Sequence, residues 1–482
     1  MAASRVLVMD RHGDVHERVD RALPADAGWP VEAQPGGAGA AALGPAASAA
    51  SVRAAAPRAR RAAARTVRSE LKRLQARGEI DAATQARHRR AFDDAIRTAR
   101  RLGGTRGAGI SNVIGNLHDI AERGALTKAR LPALFETLRR NVQWWSTGRL
   151  LSYGERVEFS DSELVWQYYP GEGIELQVLG TFGKANGLWM ARDDQSLRAL
   201  LDEMVRLASE RGGALAWEYY FDFGGGAPPW TSAMSQATGI QALSRGAKRL
   251  REPVYLETAT RALKLFSLAA PTGVRLQTDV GARYLIYSYA PSQAVANSFV
   301  QTLVGLHDYA EFTDSPAARR LYRAGDRQAR LDVRASDTGA WSLYQLGGSE
   351  SDLGYHTLLR DFLRNLCDRT RTVVYCETAA SFTRYLKEPP ALELLTRRAR
   401  ARKSVLVHFE VSKVSRVGMT IRRNGTTVLS TSASLSRGAH AYAWTVPATP
   451  GTYDVALTGT DLAGNFERTT QTIEVLGRRA PV

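Results

Sequence analysis

Pro229-Trp-Thr-Ser-Ala-Met-Ser-Gln236 joins two kinds of chain. Before it, Trp217–Trp230 is rich in glycine, proline and aromatic residues. After it, Thr231–Leu250 opens on polar residues suited to a helix N-cap and carries Met234, Ile240 and Leu243 at helical spacing. The alternation recurs. Helical periodicity returns at Ser196–Arg211, Glu252–Leu268, Gln293–Phe312, Ser315–Ala329 and Tyr355–Asp368, with Tyr284–Pro291 and Trp341–Gly347 among the aromatic connectors. Helix pairs repeated in this way predict a mostly α fold, an (α/α) toroid over 151–402 with functional residues on its connecting loops.

Outward from that region the pattern changes twice. Towards the N-terminus, Val67–Leu74, Ala82–Leu102, Ile110–Leu126 and Leu131–Trp144 predict four amphipathic helices within a helical segment 61–150. Residues 1–60, rich in Ala, Gly and Pro, read as disordered or linker, with Ala38–Ala56 a linker or the remnant of an export signal. Beyond Arg402 the period falls from 3.6 to 2. Val405–Val411, Gly418–Arg423, Thr427–Thr431, Ala439–Val446, Tyr453–Thr458 and Gln471–Val475 alternate between turn signals, Asn424-Gly425 among them. They predict an immunoglobulin-like β-sandwich over 403–482 as an accessory module. Gly451–Leu457 and Asp461–Asn465 look like the closing strands of modules common on secreted bacterial enzymes, so an extracytoplasmic location is expected.

The chain has 482 residues, 44% of them hydrophobic and 23% charged. That excludes a disordered polymer, a collagen-like repeat and a disulfide-stapled miniprotein. No apolar window reaches the roughly 18–20 residues of a transmembrane helix. Of the net charge of +17, the stretch 51–106 supplies most, with fifteen arginines and Lys72 against five acidic residues. A charge held mostly by one segment fits a solvated arginine-rich face as well as a polyanion partner, and no nucleic-acid partner is expected. Cys367 and Cys376 are too few for a zinc site; two buried thiols are preferred here over a local disulfide.

Several motifs fail. Gly180-Thr-Phe-Gly-Lys-Ala185 lacks the spacing and the Ser/Thr of a P-loop, and Gly171-Glu-Gly173 lacks the third glycine of a dinucleotide fingerprint. Gly-x-Ser-x-Gly, His-Glu-x-x-His and EF-hand patterns are absent. What stands out is Tyr153, Trp166, Tyr168, Tyr169, Trp189, Trp217, Tyr219, Tyr220 and Trp230, interleaved with Gln167, Glu172, Gln177, Lys184, Asn186 and Glu218. Flat aromatic faces with a few directed polar groups suit pyranose rings, whose C–H faces stack while hydroxyls seek partners. Taken singly, each ring reads better as helical core; taken together they read as a sugar groove.

At this point the opening stretch acquires a second meaning. Pro229–Gln236 resembles the Gly-Trp-Tyr-Ser-Ala-Met-Ala-Gln signature of D-glucuronyl C5-epimerases, which convert glucuronate to iduronate in heparan-type chains. In the same order, Tyr287-x-x-x-Pro291 with Asn297-Ser-Phe299 and Leu306-x-Asp308, then Asp337-Thr-Gly-x-x-x-x-Tyr344, then Tyr355-His-Thr357, resemble further family motifs. The resemblance covers roughly 160–370, the family's C-terminal (α/α) catalytic domain, and the Ala/Arg usage suggests a bacterial member.

The resemblance implies C5 epimerisation of an acidic, uronate-containing polysaccharide without metal or organic cofactor. It places Tyr287 and Tyr355 as the catalytic pair, with Tyr344 and His356 beside them and Tyr289 as the alternative to Tyr287. Inverting C5 needs a base on one face, an acid on the other, and donors for the spreading carboxylate charge. A tyrosine with a pKa near 10 must lose about 3 units to serve as base at neutral pH. Lys184, Arg245 and Arg283 are the candidate cations. Tyr168, Tyr169, Gln177, Asn186, Glu218, Trp230, Ser232, Gln236 and Asn297 complete the candidate substrate-binding set. Ile286 and Gly347 stand where animal members carry Glu and Arg. A lyase on the same toroid begins with the same C5 proton abstraction, and a polysaccharide-binding protein without turnover is the third reading. The oligomeric state is open, a homodimer among the options.

Overall fold

A computed structural model describes residues 3–24 and 65–477. Residues 3–24 are not disordered. They form strands β1 (Ala3–Met9) and β2 (Val15–Pro24), while the rest of the expected 1–60 linker lies outside the described residues. β1 runs antiparallel to β2 and parallel to β3 (Arg156–Phe159), which continues through β4 (Trp166–Tyr169) and β5 (Gly173–Leu176) in a five-stranded sheet of order β2-β1-β3-β4-β5.

The expected N-terminal helices are present as α1 (Val67–Ala76), α2 (Ala82–Leu102), α3 (Gly104–Glu122) and α4 (Leu131–Thr147). Their starts follow the sequence. Thr66 and Ser69 form a capping box, and Asp81 accepts from the Thr84 N–H. α3 and α4 close the free edge of β5. The Asn141 side chain donates to the Ile174 carbonyl (2.7 Å) and accepts from the Ile174 N–H (2.9 Å), replacing a neighbouring strand.

The central helices are α5 (Val178–Ala191), α6 (Asp194–Leu207), α7 (Ala233–Leu250), α8 (Pro253–Leu263), α9 (Ala296–Thr313) and α10 (Pro316–Ala335). Two short hairpins lie between them, β6–β7 (Ser209–Arg211, Ala214–Ala216) and β8–β9 (Arg275–Gln277, Ala282–Tyr284). α7 is enclosed on all sides through most of its length, from Ala233 to Ser244. Its close neighbour α9 presents Gly305, where a Cβ would stand 2.5 Å from the Ala237 carbonyl oxygen, so only glycine allows that approach.

The chain divides into two units at Ala329/Arg330, within α10. In the second unit, α11 (Leu353–Thr370) and α12 (Val373–Tyr385) are joined by a Cys367–Cys376 disulfide, not left as two thiols. The short turn between the two helices brings the Cα atoms of these cysteines, nine positions apart, to 4.9 Å, within bridging range.

The strands begin at Leu392, before the expected boundary at 403: β10 (Leu392–Leu394), β11 (Arg398–Arg400), β12 (Ser404–Val411), β13 (Ser415–Arg423), β14 (Thr426–Leu435), β15 (Gly438–Thr445), β16 (Gly451–Asp461) and β17 (Phe466–Leu476). They form sheets of order β10-β12-β15 and β11-β17-β16-β13-β14 around one core that includes Phe409, Met419, Trp444 and Tyr453. Residues alternate buried and exposed along β12 and β16, as a sheet with one wet face requires.

Closing a loop of this length stabilises the fold by about 2–3 kcal/mol. Cys367→Ser/Cys376→Ser is therefore expected to lower the unfolding free energy by that amount in urea titrations, and equal stability would contradict the contribution.

Candidate functional site

In the first unit, residues 217–230 fold back on themselves. Tyr219 and Trp230 exchange backbone hydrogen bonds (2.8 and 3.1 Å), and Phe223 and Gly226 do the same at the turn (3.1 and 2.7 Å). Trp217, Tyr219, Phe221 and Phe223 alternate along this extended arm. The Tyr219 ring stacks on Trp230 at 4.2 Å, and Phe221 meets Tyr169 at 4.7 Å. Gly226 has no room for a side chain, because a Cβ there would overlap the Tyr289 ring at 2.2 Å.

Segment 285–288 is bonded to the start of α7. Ser288 N–H donates to the Thr231 carbonyl and Ala233 N–H to the Leu285 carbonyl, both at 2.9 Å. Tyr287 is thereby set against Trp230 and Phe223, with ring centroids 5.7 Å from each. Tyr289 stacks on Tyr287 at 5.5 Å and spends its hydroxyl on the Phe223 carbonyl (2.6 Å).

The result is a narrow pocket lined by Tyr169, Gln177, Tyr219, Phe221, Phe223, Trp230, Ser232 and Tyr287. Its polar groups are few. Gln177 donates to the Tyr169 hydroxyl (3.1 Å) while its own carbonyl oxygen is buried without a partner. Ser232 is the N-cap of α7 and makes no side-chain capping bond, so the partly positive end of a buried helix opens beside the pocket.

Of the expected binding residues, Tyr169, Gln177, Trp230 and Ser232 line this pocket, together with the expected catalytic residue Tyr287. Others serve the frame. Lys184 does not reach a ligand: it is 1% exposed on α5 and binds Glu163 (2.8 Å), Glu158 (3.0 Å) and Asp20 (3.2 Å). Burial raises the Glu158 pKa to about 7 despite that ammonium. Asn186 and Arg245 are likewise engaged. Arg245 donates to Asn186 (2.7 Å) and Asp308 (2.8 Å) and covers the Trp189 ring, tying α5, α7 and α9.

Glu218 is held between Arg130 and Arg211, each with a 2.6 Å contact. Gln236 bonds both the N–H and the carbonyl of Trp217, and Asn297 accepts from the Ser298 N–H. Tyr168 packs on Trp145. Arg283 lies on β9, outside the pocket lining. Phe221 and Phe223 are pocket residues that a count of Trp and Tyr passes over. The two-residue alternation from Trp217 was their signal.

In the second unit, Tyr344 and Tyr355 meet edge to face at 4.8 Å. Asp352 caps α11 by accepting from the Tyr355 N–H (2.8 Å). His356, beside Tyr355 in sequence, is buried. Its ring is fully enclosed and stacked on Trp341 at 3.8 Å, with Nε2 facing the Phe382 carbonyl (3.0 Å) and Nδ1 facing the Ser342 hydroxyl (2.9 Å). Burial lowers its pKa to about 4, so the ring stays neutral and holds the loop. Among the described residues, no cluster of His, Cys, Asp or Glu could hold a metal ion, and no helix is long and apolar enough to cross a membrane.

The motifs around this pocket fall within a longer match. Residues 211–384 correspond to the family described as the D-glucuronyl C5-epimerase C-terminus. This segment is similar to the C-terminus of D-glucuronyl C5-epimerases. A D-glucuronyl C5-epimerase of Caenorhabditis elegans is 33% identical over 132 residues, which is 25% of this chain and 21% of the relative. The match thus spans about a fifth of that relative's length. Among solved structures, an unsaturated glucuronyl hydrolase specific for heparin (10% identity, TM-score 0.33) and a polysaccharide lyase (12% identity, TM-score 0.33) each align over 62% of this chain and 83% of their own. Likeness at that level carries no weight for fold or function.

Two expectations follow from the buried charges. Lys184→Met leaves the Asp20 and Glu158 carboxylates without their shared ammonium and should cost about 3–5 kcal/mol in denaturant titration at neutral pH. That deficit should shrink as pH falls and Glu158 takes up a proton. An unchanged midpoint would contradict the network. His356, held below its ordinary value of 6.5, contributes stability that is complete above pH 6.5 and lost as pH falls towards 4. The loss should be about 3 kcal/mol in the wild type and absent from a folded His356→Gln variant; parallel pH profiles would contradict it.

Proposed function

We propose that the protein is an isomerase that inverts C5 of uronate residues, glucuronate to iduronate, in an acidic polysaccharide. The observation that carries this is Tyr287, on the family motif, in an aromatic pocket that opens beside the N-terminus of α7. The Trp230 and Tyr219 rings supply flat faces for a pyranose, and Gln177 supplies an acceptor for a hydroxyl. The uronate carboxylate suits the α7 N-terminus, where the helix dipole favours negative charge beside Ser232, the Ala233 N–H itself being held by Leu285. As the C5 proton leaves, charge spreads into that carboxylate, so the same end of the helix lowers the barrier.

Tyr287 is the acid/base group of this pocket, because it lies on the family motif and lines the pocket, which Tyr289 does not. The family motif assigns the second role to Tyr355. In the same reading the central helices belong to an (α/α) toroid and the terminal sheets to an immunoglobulin-like module. The host is a bacterium, and the partly exposed helix–helix disulfide supports an extracytoplasmic site of action, since such bonds persist under oxidising conditions.

Heparosan and other uronate polymers incubated with the protein in D2O test the reaction. Loss of the C5 proton signal with new iduronate-type resonances is expected. Tyr287→Phe should reduce exchange about 100-fold or more, the scale of a lost general acid/base, while most polymer binding remains. A vinyl proton in the product would make the protein a lyase, and exchange unaffected by Tyr287→Phe would remove that residue from the mechanism.

A further inference from the structure

The C-terminal sheets reach the Tyr344–Tyr355 pair through a buried charge. Lys413, in the turn between β12 and β13, is 1% exposed. Its ammonium pairs with Asp461 (2.6 Å) at the end of β16, donates to the carbonyls of Tyr385 (2.9 Å) and Glu388, and stands 5.2 Å over the Trp341 ring. Trp341 is the floor of the loop that carries Tyr344. It stacks on His356 and donates its indole N–H to the Ser351 carbonyl (2.9 Å).

A second tie meets the same loop. The Glu350 carboxylate accepts from the backbone N–H groups of Val414 (2.9 Å) and Arg437 (3.3 Å). Between these anchors the loop closes as a small hairpin, with Ser351 N–H on the Ser342 carbonyl (2.8 Å) and Tyr344 N–H on the Ser349 carbonyl (3.0 Å). Tyr344 sits near its tip, against Tyr355 at the start of α11.

We propose that the terminal sheets are a working part of the second unit rather than an appendage, and that Lys413 is a positioning residue fixing the Tyr344–Tyr355 pair through Trp341. The proposal rests on the C5-epimerase reading for the role of those tyrosines. Its physical argument is independent. Apolar packing would join sheets to helices at least as firmly, because burying an ammonium and a carboxylate costs desolvation that their attraction barely offsets. What a buried pair adds is a single register. Both anchors meet the one loop that carries Tyr344, so a shift of the sheets would move that ring. A displacement near 1 Å at a reacting group costs about 100-fold in rate.

The test uses the full chain in two variants. Lys413→Met/Asp461→Asn removes both charges together, leaving no lone buried ion. Glu350→Leu cuts the second tie and serves if the first variant fails to fold. Amide hydrogen exchange should become about tenfold faster or more over 342–351, while β16 and β17 stay protected, the signature of local opening. In C5 exchange kinetics on heparosan, kcat should fall about 100-fold with KM within about threefold, a split that mere loss of folded protein does not give. Wild-type loop protection or wild-type kcat in a folded variant would overturn the proposal. If the unaltered chain exchanges no C5 proton on any uronate polymer, the epimerase reading fails on its own, and loop protection still decides whether Lys413 fixes the loop.

Discussion

Two backbone hydrogen bonds, from Ser288 to Thr231 and from Ala233 to Leu285, hold the first unit's pocket together. They join segments more than fifty residues apart in sequence: the arm leading into α7 and the connector leading into α9. Neither tyrosine nor tryptophan finds its place by burial alone, because hydrophobic contact is non-directional. The paired peptides set the direction. Once 285–288 lies against 231–233, Tyr287 has to face Trp230, and the first turn of α7 has to open beside both.

The surrounding charges serve that placement instead of meeting a ligand. Glu218 between Arg130 and Arg211 fixes the arm at one end, and Gln236 holds both peptide groups of Trp217 at the other. Lys184 joins β2 and β3 to α5, while Arg245 joins α5 to α7 and α9. Removing one partner of such a network leaves a buried charge uncompensated, so each is expected to matter for folding more than for chemistry. Towards the pocket, the chain presents aromatic faces, one amide and one helix end.

Much of this was legible from the residues, and the gaps have physical causes. The four N-terminal helices and six of the terminal strands have one wet face, so their periods show. α5 does not, because it is buried nearly all round and its glycines imitate a loop. β3–β5 are short and buried on both faces, which erases alternation. The motif around Trp230 and Tyr287 identified the pocket's centre. Sequence alone did not separate Lys184 and Arg245, which pair with buried carboxylates, from residues that could reach a ligand. Nor did it show that His356 is enclosed, or that two cysteines nine apart would meet across a helical turn.

The central claim is that a uronate ring lies in the first unit's pocket with its carboxylate at the start of α7. The most direct measurement is a crystal structure of the Tyr287→Phe chain with a heparosan hexasaccharide. The account predicts a pyranose against Trp230 or Tyr219, a hydroxyl on Gln177, and the carboxylate within hydrogen-bond distance of the α7 N-terminus near Ser232. A hexasaccharide bound elsewhere, with this pocket empty, would contradict it.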